Sequence, residues 1–145
     1  MTLVLDAAPL VALADRSDRM QARVEAALRD EPGELVIPAP VSAEVDYLLG
    51  RRLGRAARLA FLDDLAAGRF NVACLGPADY AVIAGLERQY HDLDVGLSDL
   101  SVVVLAGRYR TQRLLTFDER HFRALRALSG EQFVLLPVDD ATCPS

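Results

Sequence analysis

The chain has 145 residues, 52% of them hydrophobic, enough for one globular domain with a real core over residues 1–145. Its formal net charge of −5 argues against a strong general nucleic-acid binder. A nuclease stays open, because an acidic metal site inflates the negative count and bound metals offset it. All 16 cationic residues are arginine, which excludes every mechanism that requires a lysine.

No apolar run approaches the roughly 20 residues of a membrane span. The start lacks the basic region of a signal peptide, so no membrane association is expected. Cys74 and Cys143 match no metal-ligand spacing, and a reduced, cytoplasmic setting is the default. No repeat, low-complexity tract or linker marks a domain boundary.

Leu3-Val4-Leu5 is a short apolar run ending in Asp6, the pattern of a strand buried on both faces. Pro9 to Ala14 predicts a helical turn, and Asp18 to Arg29 an amphipathic helix with Met20, Val24, Ala27 and Leu28 on one face. After the turn at Pro32-Gly33, Leu35-Val36-Ile37 is a second buried strand. Pro40 opens a helix to about Leu49 with Glu44 near its start. Gly50 and Gly54 bracket a break, and Arg55 to Ala67 forms a helix closed by Gly68. Phe70 to Leu75 is the third strand, and Pro77 opens a helix to about Tyr90. The loop through Asp94 leads to Ser98 and Asp99, then to an apolar helix, Leu100 to Tyr109. Leu114-Leu115 is a fourth strand ending in Thr116-Phe117-Asp118. A helix from Glu119 to about Leu128 and a strand from Gln132 to Leu136 complete the chain. Strands alternating with helices imply a parallel α/β sheet with right-handed crossovers.

This order places four acids on one rim. Asp6 ends strand one, Asp118 follows strand four, and Glu44 and Asp99 begin helices at the same carboxyl edge. If strands one and four are neighbours, Asp6 and Asp118 flank the topological switch point, where open α/β sheets keep their ligands. Each acid alone has a structural reading: Asp6 and Asp118 as helix caps, Glu44 and Asp99 as helix-start acids favoured by the dipole. Their joint placement favours chemistry. Clustered carboxylates repel and their pKa values rise unless a cation neutralises them. Hard oxygen ligands suit Mg²⁺ or Mn²⁺, metals that activate water and stabilise in-line attack on a phosphodiester.

The segments Leu3-Val4-Leu5-Asp6, Val41-Ser42-Ala43-Glu44, Gly96-Leu97-Ser98-Asp99 and Leu115-Thr116-Phe117-Asp118 resemble the four acidic motifs of PIN domains. Their order, the chain length and Phe122 resemble the VapC-type toxins of that superfamily. The resemblance implies a three-layer α/β/α fold with a parallel sheet of about five strands in the order 3-2-1-4-5. It implies a Mg²⁺-dependent endoribonuclease, a homodimer with higher toxin–antitoxin assemblies, and inhibition by a VapB-like antitoxin that threads an extended tail past the site. By position, Asp6 and Asp99 would be the principal metal ligands. Glu44 would be a further ligand or a water-activating group, and Asp118 would bind a second metal. Thr116 would orient the cluster, with Ser98 and Asp94 in support. Ala7-Ala8 after the first acid and Leu100 after Asp99 depart from the family pattern, and neither removes an acid.

Arg120 and Arg123 follow Asp118 and are candidate contacts for RNA phosphates. His121 between them reads as a surface residue of a helix start rather than a general acid. Arg51, Arg52, Arg55 and Arg58 suit RNA, an antitoxin or plain solvent. Tyr47, Phe61 and Phe122 are expected to fill the core or a dimer seam. Response-regulator and haloacid-dehalogenase mechanisms fail for want of a lysine, and the first loop lacks the glycines of a phosphate-binding fold. Two readings stay beside the toxin: a PIN nuclease of RNA maturation without an antitoxin, and an inactive PIN-like binding module.

Overall fold

The computed structural model describes residues 1–140; Cys143 lies outside them. Its core is a parallel sheet in the order β3-β2-β1-β4-β5. The strands are β1 (Leu3–Leu5), β2 (Leu35–Pro38), β3 (Asn71–Ala73), β4 (Arg113–Leu115) and β5 (Val134–Leu136). All four pairings are parallel, so every connection returns to the same edge. With right-handed crossovers, helices after β1 and β2 cover one face and those after β3 and β4 cover the other. The expected three-layer PIN-like architecture is the one observed.

The central strand follows from its composition. Leu3, Val4 and Leu5 are all 0% exposed, as expected of a strand covered on both faces. β1 pairs with β2 on one side and β4 on the other. The order therefore reverses at β1, and the crevice beyond β1 and β4 is the switch point. Asp6 N–H donates to the Leu115 carbonyl at 2.9 Å, and Thr116 N–H to Leu136 at 3.0 Å. These bonds continue the ladder past the strands and fix the loops that carry the acids.

The helices are α1 (Ala7–Ala14), α2 (Gln21–Asp30), α3 (Ala39–Arg52), α4 (Arg55–Ala66), α5 (Pro77–Gln89), α6 (Leu97–Arg108) and α7 (Glu119–Ala124). Several bounds differ from the sequence expectation. The α3 helix runs through Gly50 to Arg52, so only Gly54 marks the break. Gly50 lies inside the helix, and its missing Cβ leaves room for Arg58 of α4, whose side-chain end lies 2.8 Å from where a Cβ would stand. Gly54 has φ 95° and ψ 179°, a backbone region open essentially to glycine alone. Helix α7 stops at Ala124 instead of Leu128, because Leu125 turns extended and buries its side chain in the core. Phe61 and Phe122 are core residues at 7% and 1% exposure, but Tyr47 is 59% exposed and does not fill the core.

The two glycines differ in consequence. Gly54→Ala should lower the unfolding free energy by about 1–3 kcal/mol. Gly50→Ala should change it by no more than about 0.5 kcal/mol, since only the flexible end of Arg58 must move. Urea denaturation of the two variants measures the contrast.

Candidate metal centre

Asp6 is the first residue beyond β1 and is 7% exposed. Its Oδ1 accepts the Ala7 N–H at 2.8 Å, which makes it the N-cap of α1. Its Oδ2 accepts the Thr116 hydroxyl at 2.7 Å. The Thr116 oxygen in turn accepts the Asp118 N–H at 3.0 Å. Thr116 thus joins the ends of β1 and β4 through one buried hydroxyl. Burial raises the Asp6 carboxyl above its ordinary range, against the bonds from Thr116 and Ala7, and the charges of Glu44 and Asp118 push in the same direction as burial.

Asp99 lies in the first turn of α6, which begins at Leu97 rather than Leu100. Burial, then Asp6 and Asp118, push its carboxyl up to about 6, with Glu44 adding to them and His121 opposing. All four acids expected on the rim are thus close enough to act on one another around Asp99. Glu44 sits in the second turn of α3, because the helix starts directly after β2 at Ala39. A first-turn dipole role is therefore not its position.

Asp118 caps α7 through the His121 N–H at 3.0 Å, and its Oδ2 lies 2.7 Å from His121 Nδ1. The His121 side chain is only 18% exposed. It is a member of the cluster and not the plain surface residue expected; its spacing of three from Asp118 at a helix start was the available signal. Asp99, Asp118 and His121 can each bring one ligand atom to within 4.8 Å of the others. Two carboxylates and an imidazole at that spacing fit a divalent cation, with the imidazole tolerated by Mn²⁺ as well as by softer metals. Asp6 and Glu44 act on this group through their charge and are outside the closest ligand set.

The remaining expected residues separate. The Ser98 carbonyl accepts the Ser101 hydroxyl at 2.6 Å, a bond internal to α6. Asp94 is exposed in the preceding loop and is not among the charges acting on Asp6 or Asp99. Arg120 is exposed. Arg123 grips Asp139 with two bonds of 2.7 and 2.6 Å and reaches Glu119 at 3.3 Å, so its guanidinium is already committed within the fold. Arg58 reaches Asp46 at 3.9 Å, whereas Arg51, Arg52 and Arg55 are exposed.

The electrostatics give a stability signature. The Asp99 carboxyl is raised from 3.8 to about 6 in the folded chain. Below the lower value it is protonated in both states and costs the fold nothing; above the upper value it is ionised in both and the repulsion acts in full. Metal-free protein should therefore gain stability as pH falls from 7 through this window. Asp99→Asn should remove that gain and raise the metal-free Tm at pH 7 by about 2–4 °C, an effect of about 1 kcal/mol for this size after allowance for partial solvent screening. Thermal melts in EDTA across pH test both.

Comparison with known proteins bears on the family and the fold. The PIN domain model matches residues 3–128. The chain is 38% identical over 135 residues to Ribonuclease VapC26 of Mycobacterium tuberculosis, covering 93% of this chain and all of the relative. In fold it is similar to Mycobacterium tuberculosis VapC20, a sarcin-ricin loop cleaving toxin, with TM-score 0.75, 16% identity, and 81% of this chain and 91% of that one covered. It is also similar to VapBC2 of Rickettsia felis, solved bound to a DNA fragment from their promoter, with TM-score 0.66, 16% identity, and 93% and 97% covered. With its acids gathered at the switch point of a 3-2-1-4-5 sheet, the chain belongs to the PIN-domain family, and within it to the ribonucleases of the VapC type.

Proposed function

We propose that the whole chain works as one PIN-like domain, a Mg²⁺-dependent endoribonuclease acting as the toxin of a VapBC-like pair. The observation that carries the reading is the gathering of Asp6, Glu44, Asp99 and Asp118 around one point, with Asp99 raised to about 6 by burial first and then by the charges of the other acids. Like charges held this close at neutral pH favour a cation shared between them.

Asp99 and Asp118 would hold the metal, with Asp6 and Glu44 completing the charge around it. When bound, Mg²⁺ or Mn²⁺ supplies water activation and charge stabilisation for in-line attack on a phosphodiester. The chain's own groups set the geometry. Thr116 orients Asp6 by donating to one oxygen, which leaves that carboxylate acceptor-only toward the site. His121 holds Asp118 from the other side at 2.7 Å. Arg120, exposed beside this loop, is the nearer candidate for an RNA phosphate, because Arg123 would have to leave Asp139 to serve.

The partner reading rests on kinship with VapC proteins, one of them solved in a VapBC complex. An antitoxin and a second protomer need apolar surface, and Tyr47, Leu59 and Leu62 on α3 and α4 and Tyr80 and Val82 on α5 offer it. Among the described residues no helix is long and apolar enough to cross a membrane, which is consistent with cytoplasmic RNA as substrate.

Purified protein should cleave RNA with Mg²⁺ and not with EDTA, and sequencing the new ends identifies the substrate. Asp6→Asn or Asp99→Asn should reduce cleavage by at least about 100-fold; cleavage at the wild-type rate would remove the site. Thr116→Val should cost about tenfold, the equivalent of one hydrogen bond to a charged group. It should also shift the acid limb of the pH–rate profile upward, because Asp6 loses the bond that lowers its pKa; Thr116→Ser should restore both.

A further inference from the structure

A cavity of about 420 Å³ opens beside the acid cluster, between the start of α2, the loop from β4 to α7 and the turn after β5. Sites for small organic ligands run from roughly 300 to 1,000 Å³. Thr116 forms part of the wall, and its hydroxyl is the group that bonds Asp6 and receives the Asp118 N–H. The cavity is therefore one side chain away from the candidate metal centre.

Its chemistry is not that of the cluster. Met20, Phe117 and Val138 give it apolar surface, and Arg19 and Arg23, four residues apart, line it with charge. Arg19 makes no hydrogen bond or ion pair among the described residues, and Arg23 donates only to the Pro137 carbonyl, at 3.3 Å. Glu119, the acid on the wall, is reached at 3.3 Å by Arg123, a guanidinium that Asp139 holds more closely. Among the described residues neither arginine forms an ion pair, so two cations stand against one acid beside an apolar floor in a chain of net charge −5. A metal ion is repelled by such a site. A nucleotide matches it: the floor takes an unstacked base, and the guanidinium groups take phosphate.

Building on the ribonuclease reading above, we propose that this cavity binds the nucleotide adjoining the scissile phosphate of single-stranded RNA. The base lies against Met20 and Phe117, and its phosphate meets Arg19 and Arg23. Substrate is thereby held in register with the acids across the Thr116 wall.

Met1 and Met20 are the only two methionines, so methyl-labelled methionine gives two NMR signals. A single-stranded RNA pentamer of mixed sequence, added with Ca²⁺ in place of Mg²⁺, should shift the Met20 signal and leave Met1 in place. The Arg19→Ala/Arg23→Ala variant should weaken binding about tenfold and lower the log-log salt slope by one to two. Arg19→Ala alone, which removes no contact within the fold, should weaken binding about threefold. A Met20 signal unmoved by the RNA, or variants that bind with unchanged affinity and salt slope, overturns the assignment. Cleavage in Mg²⁺ with Met20 unmoved removes the cavity and leaves the ribonuclease; a responding Met20 without cleavage does the reverse.

Discussion

One buried hydroxyl ties the acidic rim together. Thr116, 1% exposed, donates to Asp6 at 2.7 Å and accepts from the Asp118 backbone at 3.0 Å. Asp6 ends the central strand and Asp118 opens α7, so this side chain couples two segments 112 residues apart in number but adjacent in the sheet. Its value lies in direction as much as in strength. An ionised carboxylate has only acceptor sites, and a donor placed on one oxygen decides which lone pairs face the cluster. Acids brought together from separate loops keep one arrangement only if something holds them, and here a neighbouring hydroxyl does so.

The same rim is a cost to the fold. Burial and like charge raise both Asp6 and Asp99, and each shift records free energy spent on ionising them in place. The protein supports this with a sheet whose central residues Leu3, Val4, Leu5, Leu114 and Leu115 are wholly buried. A rigid strand pair can hold carboxylates that would separate on a flexible loop. Function here draws on stability supplied elsewhere.

Capping and chemistry are not rival accounts of these acids. Asp6 caps α1 and Asp118 caps α7, each with a bond of 3.0 Å or less to a helix N–H. A cap leaves the second oxygen available, and Asp6 uses it for Thr116 while Asp118 uses it toward His121. The helix starts do the aiming, since the cap bond fixes how each carboxylate leaves the backbone. Glu44 differs: sitting in the second turn of α3, it reaches the cluster through its charge and has no capping role.

The sequence by itself determined the alternation of strands and helices and the place of Leu3–Asp6 at the centre, because three apolar residues before an acid leave few other structures. It also determined that four acids share an edge, since parallel strands joined by crossovers all end on one side. Local pattern could not see across the chain. Gly50 reads as a breaker until Arg58 of α4 is found packed where a side chain would stand. Tyr47 reads as core or dimer seam, and only the fold, in which α3 turns it outward, removes the core. Arg123 reads as free until Asp139 folds back onto it. Arg19 and Arg23 carry no motif at all, and they face Thr116 across a cavity only because α2 packs beside the loop after β4. Periodicity encodes what a residue does within its own element; which distant side chain meets it is settled by packing, and the site is made of such meetings.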